Sequence, residues 1–133
     1  MATFQKFNAF VEAVAEKKHD LGADTLMVAL TNTAPAAGNA VLTDITEISY
    51  TNLSSRTVTR TSSSQTSGTY ALVLQDLTLT ASGAVGPFQY VVLYNNTATN
   101  KELIGFYDYG SSISLANGET FLIDFGANVI TLA

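Results

Sequence analysis

Side chains that do most biological chemistry are scarce in this chain. It has one histidine, His19, no cysteine, and eleven carboxylates spread over 133 residues. A histidine serves as a general base when a neighbouring group orients it, and Asp20 and Asp24 stand close to His19 in sequence. Eleven serines are available as nucleophiles, but no Gly-x-Ser-x-Gly turn presents one. The triad needs three placed groups and the sequence marks one, so His19 reads as a surface residue that complements a helix dipole. Asp44, Glu47, Asp76, Glu102, Asp108, Glu119 and Asp124 are scattered. Nothing promotes any two of them to the facing acid and base of a glycosidase. Asp does not recur at the alternate positions of a calcium loop, and His and Cys spacings for zinc are absent. The loop containing Gly86 lacks the lysine and the following helix of a phosphate cradle. The chain is therefore read as non-enzymatic, with no catalytic, cofactor or metal residues.

One aromatic cluster, Phe106-Tyr107-Asp108-Tyr109, could bind something. In a strand Phe106 and Asp108 share one face while Tyr107 and Tyr109 share the other. The two tyrosines could stack a sugar ring or anchor a protein interface. They could equally line a core between sheets, with their hydroxyls at its edge. Strand aromatics mostly serve the core, which favours the second reading.

The elements that must position these residues are strands. Eighteen Thr and eleven Ser stand among Val, Ile, Leu, Tyr and Phe, a composition suited to pleated, half-buried surfaces. A chain of 133 residues makes one domain, 1–133, and buries roughly two-thirds of its unfolded surface. Charged residues are 13 %, against a usual share of about 25 %. Either Ser and Thr cover the outside, or another chain covers part of it. The net charge is −5 with six Lys and Arg, too few cations for gripping nucleic acid or an anionic membrane. Absence of cysteine suits a reducing compartment. The first residues show no basic segment followed by an apolar run, so no secretory signal is expected. No apolar run is long enough to span a membrane. Asn52-Leu53-Ser54 and Asn95-Asn96-Thr97 match the glycosylation pattern and are read as chance.

Along the chain, Phe4, Phe7, Val11 and Val14 recur at helical steps, with Phe10 and Ala13 widening the stripe. They predict one amphipathic helix over about residues 4–18, with Lys17, Lys18 and His19 near its C-terminal end and Gly22 as its stop. From Asp24 the period becomes two. Thr25 to Thr31 predicts a strand with Leu26, Val28 and Leu30 on one face. Val41 to Tyr50 reads as a helical turn or an irregular strand, Ser54 to Arg60 as a weak strand, and Thr61 to Gly68 as a polar loop or hairpin tip. Thr69 to Gln75 and Asp76 to Ala81 alternate, and Ser82 to Pro87 is a loop. Phe88 to Tyr94 is continuously apolar, the mark of a strand covered on both faces. Lys101 to Tyr109 and Ile113 to Leu115 follow. Asn117-Gly118 is the strongest hairpin signal, leading to Thr120 to Phe125, and Val129 to Leu132 closes the chain. About eight short strands punctuated by turns predict a mainly β protein: an antiparallel, jelly-roll-like β-sandwich with one N-terminal helix.

Several segments together carry a family resemblance. They are Phe4 to Glu12 with Lys17 to Gly22, Leu26 to Pro35, Val41 to Ile48, Ser67 to Tyr70, Gly86 to Asn95 and Leu103 to Gly110. The chain resembles, over nearly its whole length, small tailed-bacteriophage virion structural proteins of the capsid cement or decoration type. The resemblance implies a β-sandwich on the outer shell, bound to the major capsid protein and to copies of itself as a dimer or trimer. It implies no catalytic residues, and places the protein on the virion after synthesis in the bacterial cytoplasm. An acidic surface suits the outside of a shell better than its DNA-facing side, and modest contacts repeated over a lattice add through multivalency. Phe4, Phe7, Phe10, Val11 and Val14, with Tyr107 and Tyr109, are the candidate contact residues. A tail or receptor-side virion component, or a carbohydrate-binding β-sandwich, is the alternative.

Overall fold

The computed structural model describes residues 2–133. In chain order the elements are β1 (Phe4–Lys6), α1 (Asn8–Ala15), β2 (Leu26–Thr31), a 3-10 turn (Leu42–Asp44), β3 (Thr57–Val58) and β4 (Arg60–Thr66). There follow β5 (Thr69–Leu74), β6 (Leu77–Thr80), β7 (Val85–Asn95), β8 (Leu103–Leu115), β9 (Thr120–Ile123) and β10 (Ile130–Leu132). Three sheets form, ordered β1-β8-β7-β2-β3, β10-β5-β4 and β6-β9. Every strand pairing among the described residues is antiparallel. The protein is mainly β with one helix, as its composition predicts.

Side-chain alternation builds the layers. Leu26, Val28 and Leu30 of β2, with Val91 and Leu93 of β7, face Leu72 and Leu74 of β5, Leu79 of β6 and Ile123 of β9 in one main core. The five-stranded sheet thus packs on the two smaller sheets as a sandwich. Its other face is also covered: Ala29, Val92, Tyr94, Leu103 and Phe106 pack with Phe7 and Ile45 in a second cluster. Burial on both faces is why β7 reads as an unbroken apolar run.

Five local expectations need correction. The helix runs Asn8–Ala15, not 4–18. Phe4 to Lys6 instead pair with Tyr107 to Gly105 of β8, and the Phe7 N–H donates to the Ile104 carbonyl at 3.1 Å. At its other end Lys17 turns left-handed, with φ 66°, and the Lys18 N–H returns to the Ala13 carbonyl at 2.9 Å. That closure is a Schellman turn, reached five residues before Gly22. Thr61 to Thr66 is not a loop but most of β4, paired to β5. Only Ser67 and Gly68, both at positive φ (51° and 85°), form the tip, a two-residue turn whose twist matches its strands. Asn117-Gly118 turns the chain but makes no hairpin. The strands it joins, β8 and β9, lie in different sheets, and the Gly118 N–H donates to the Ala81 carbonyl at 2.8 Å. Strand β8 is one strand of 13 residues rather than two, and β7 begins at Val85, within the expected loop Ser82 to Pro87.

Candidate functional site

The predicted contact residues separate into three environments. Phe4, Phe10, Val11 and Val14 come together. With Lys6 and residues 129–132 they line an apolar groove of about 310 Å³ between α1 and β10. Val11 is 55 % exposed on one wall and Leu132 44 % exposed on the other. Both β1 and β10 are outermost strands of their sheets, so the groove lies where two sheet edges end side by side. An outermost strand presents unpaired N–H and C=O groups, a template for another chain unless something covers it.

At the opposite margin of the five-stranded sheet the outermost strand is the two-residue β3, and neighbouring segments bond the rest of the β2 edge. Beside β2, the Val28 N–H donates to the Arg56 carbonyl at 3.1 Å and the Ile48 N–H to the Leu30 carbonyl at 3.0 Å. The Leu30 N–H donates to the Tyr50 hydroxyl oxygen at 3.0 Å. That hydroxyl donates to Glu47 Oε1 at 2.7 Å, and the Arg56 guanidinium lies 3.7 Å over the Tyr50 ring. Burial first, then the bond to Glu47, pushes the Tyr50 phenol well above its ordinary range. The outer strand β4 is left open but is polar, its exposed residues being Ser, Thr and Gln.

Phe7 does not join the groove. It is fully buried in the second cluster, its ring 5.2 Å from that of Phe106. The N–H that ties it to β8 turns its side chain to the sheet face opposite Phe10, although three residues of helix would have kept the two together.

Tyr107 and Tyr109 do share a face, opposite Phe106 and Asp108, and that face is the core. Tyr107 is 4 % exposed and its ring is flanked by Phe4 at 5.3 Å and Phe125 at 6.2 Å. Tyr109 is half-buried and meets Phe121 edge-on at 5.0 Å. Burial pushes both phenols up, Tyr109 to about 12. With Tyr107 buried among these rings, the pair offers no open platform for stacking a sugar.

A buried polar node forms where the sequence carries no local signal for one. His19 is 8 % exposed rather than a surface residue at a helix end, and its ring packs 5.3 Å from that of Phe10. The Asn95 side chain, fully buried, lies between the α1–β2 connection and the β7–β8 turn. Its Nδ2 contacts His19 Nδ1 at 3.0 Å and donates to Asp24 Oδ2 at 2.6 Å. Its Oδ1 accepts the Thr97 and Ala98 N–H groups at 3.0 and 3.1 Å. Arg60 completes the surround by donating to the Leu21 and Asp24 carbonyls. These residues lie 71 and 76 positions apart in the chain and meet because β2 pairs with β7 in a register that sets Leu26 opposite Asn95. No local pattern signals that meeting. Burial also means the glycosylation match at Asn95 has no accessible side chain.

Among the described residues no group of three or more His, Cys, Asp or Glu side chains is placed to hold a metal ion. No helix among them is long and apolar enough to cross a membrane. Of the predicted contact residues, Phe4, Phe10, Val11 and Val14 are the ones that meet, in an apolar groove beside two outermost strands. No protein-family model, no curated protein and no solved structure matches the chain.

Proposed function

We propose that the protein is a non-enzymatic bacteriophage capsid cement or decoration protein, which binds the major capsid protein on the outer shell and stabilises it. The observation that supports this reading is the asymmetry of the sandwich margins. One side ends in the two-residue β3, with Ile48, Tyr50 and Arg56 bonded beside it to β2, and in the polar strand β4, whereas the other ends in two outermost strands beside an apolar groove. Soluble domains manage such edges by covering or charging them, and an uncovered apolar one marks an interaction surface. The resemblance to phage virion proteins names the partner, and the net charge of −5 favours the face of a shell turned away from DNA. A modest contact suffices for a shell protein because it is repeated at every lattice site.

Co-sedimentation with shells assembled from the major capsid protein of the encoding phage tests this. Saturable binding is expected, weakened at least tenfold (about 1.4 kcal/mol) in Val11→Glu and Leu132→Glu, which put charge on the two groove walls. Absence of shell binding by the wild-type protein would overturn the proposal. Binding unchanged in both variants would remove the groove from it.

A further inference from the structure

The node around His19 has a directional feature. Every hydrogen-bonding capacity of the Asn95 side chain is in use. Its oxygen holds two backbone N–H groups of the β7–β8 turn, so its nitrogen must face His19 and Asp24. An amide nitrogen can only donate. His19 Nδ1 is therefore the acceptor, the imidazole is neutral, and its proton is on Nε2, which is buried without a partner. Turning the amide over would break both turn hydrogen bonds and set its oxygen against the Asp24 carboxylate.

We propose that His19 and Asn95 form an acid-opened latch that ties the α1–β2 connection to the β7–β8 turn. A proton arriving at Nδ1 meets the hydrogens of the Asn95 amide, so the ring takes it only by leaving that partner. Both lobes of the latch depend on the same amide. Asp24 Oδ2, bound by Asn95, also accepts the Asp20 N–H at 2.9 Å, and the Thr97 N–H and Ala98 N–H are held by Asn95 Oδ1.

The charged and titratable groups around the ring act in both directions. Asp20, Asp24, Lys17 and Lys18 lie on its own connection, Glu102 just before β8, Arg60 on β4 and Tyr70 on β5. Burial lowers the affinity of His19 for a proton, while Glu102 and Asp24 raise it, and burial prevails. The sign follows. The closed latch is fully favoured above the ordinary histidine value of about 6.5 and loses ground as pH falls below it. The β2–β7 ladder, carried by backbone bonds, stays intact.

With one histidine in the chain, nuclear magnetic resonance reads the latch without ambiguity. Two-bond proton–nitrogen spectra at pH 7.5 (a value on the neutral side of about 6.5) should show Nδ1 bare and Nε2 protonated. Amide exchange at Asp20, Thr97 and Ala98, corrected for intrinsic rates, should speed by up to about tenfold per pH unit below about pH 6.5. Its midpoint should coincide with the His19 titration. His19→Asn keeps an acceptor near the Nδ1 position and removes the titration, so exchange at Thr97 and Ala98 should lose this acid dependence. A proton on Nδ1 at neutral pH would overturn the latch. So would equal acid dependence in the wild type and His19→Asn, or a His19 titration that leaves these amides unmoved. Should His19→Asn fail to fold, the wild-type tautomer and the coincidence of midpoints still decide.

Discussion

Phe7→Ala is expected to be among the most damaging single truncations in the N-terminal segment, although Phe7 sits in the same aromatic stripe as the groove residues. The Phe7 ring is 0 % exposed and packs with Ala29, Ile45, Val92, Tyr94, Leu103 and Phe106. An aromatic side chain of this kind removes 150–250 Å² from water on general grounds. At about 25 cal/mol per Å², that sets a ceiling of roughly 4–6 kcal/mol. Direct Phe→Ala substitutions in cores cost about 3–5 kcal/mol, and the same range is expected here. Val11→Ala is the internal control: its side chain is 55 % exposed, and surface truncations stay within about 0.5 kcal/mol. Urea titrations of both variants, monitored by circular dichroism, give the two numbers side by side. For a domain of this size the Phe7→Ala loss corresponds to a melting point lowered by roughly 10–20 °C. A cost below about 1 kcal/mol for Phe7→Ala, or equal costs for the two variants, would refute the division of this segment between core and contact face.

Two further perturbations follow from the same geometry. A Cβ at Gly105 would run into the Phe4 ring and lie 2.7 Å from the Gln5 carbonyl oxygen. Gly105→Ala should therefore lever β1 off β8 at a cost of about 1–3 kcal/mol, read by denaturant unfolding; an unchanged midpoint would contradict the close seat of Phe4. Tyr50, Tyr107 and Tyr109 are all raised, chiefly by burial. Their neutral forms thus stabilise the fold fully below the unfolded value of about 10, and that stability falls as pH rises beyond it. In ultraviolet titration their phenolate signal should lag and then appear together with unfolding. Ionisation of all six tyrosines near pH 10 with the circular dichroism still native would count against it.

Period-two patterning made β2, β5, β6 and β10 legible, and the two-face burial of β7 was readable from its unbroken apolar run. What misled was coincidence of spacing. Phe4, Phe7 and Phe10 recur every three residues, yet they belong to a strand, a helix cap and a helix, and Phe7 enters the second cluster while Phe4 and Phe10 meet the main core. A helical period arises here without a helix because the chain changes element twice within one apparent stripe. Strand β4 was invisible for the opposite reason: Ser and Thr occupy both of its faces, and only pairing with β5 makes it a strand. Asn117-Gly118 shows that turn chemistry fixes a local bend but not which sheet the next strand joins. The groove was half legible, since its α1 wall carries the predicted Val11 and Val14 while its β10 wall arrives from the other end of the chain. The His19 node was not legible at all, being made by a β2–β7 register that no local pattern encodes.

Covering a shell through the margin formed by α1, β1 and β10 is the centre of the proposed function. Cryo-electron microscopy of particles that contain the protein tests this directly. Density for the sandwich is expected at repeated sites on the outer capsid surface, with the Val11 and Leu132 walls turned to the major capsid protein or to a second copy at the same site. Density confined to the tail, or a capsid-bound sandwich whose α1–β10 groove faces open solvent, would contradict it.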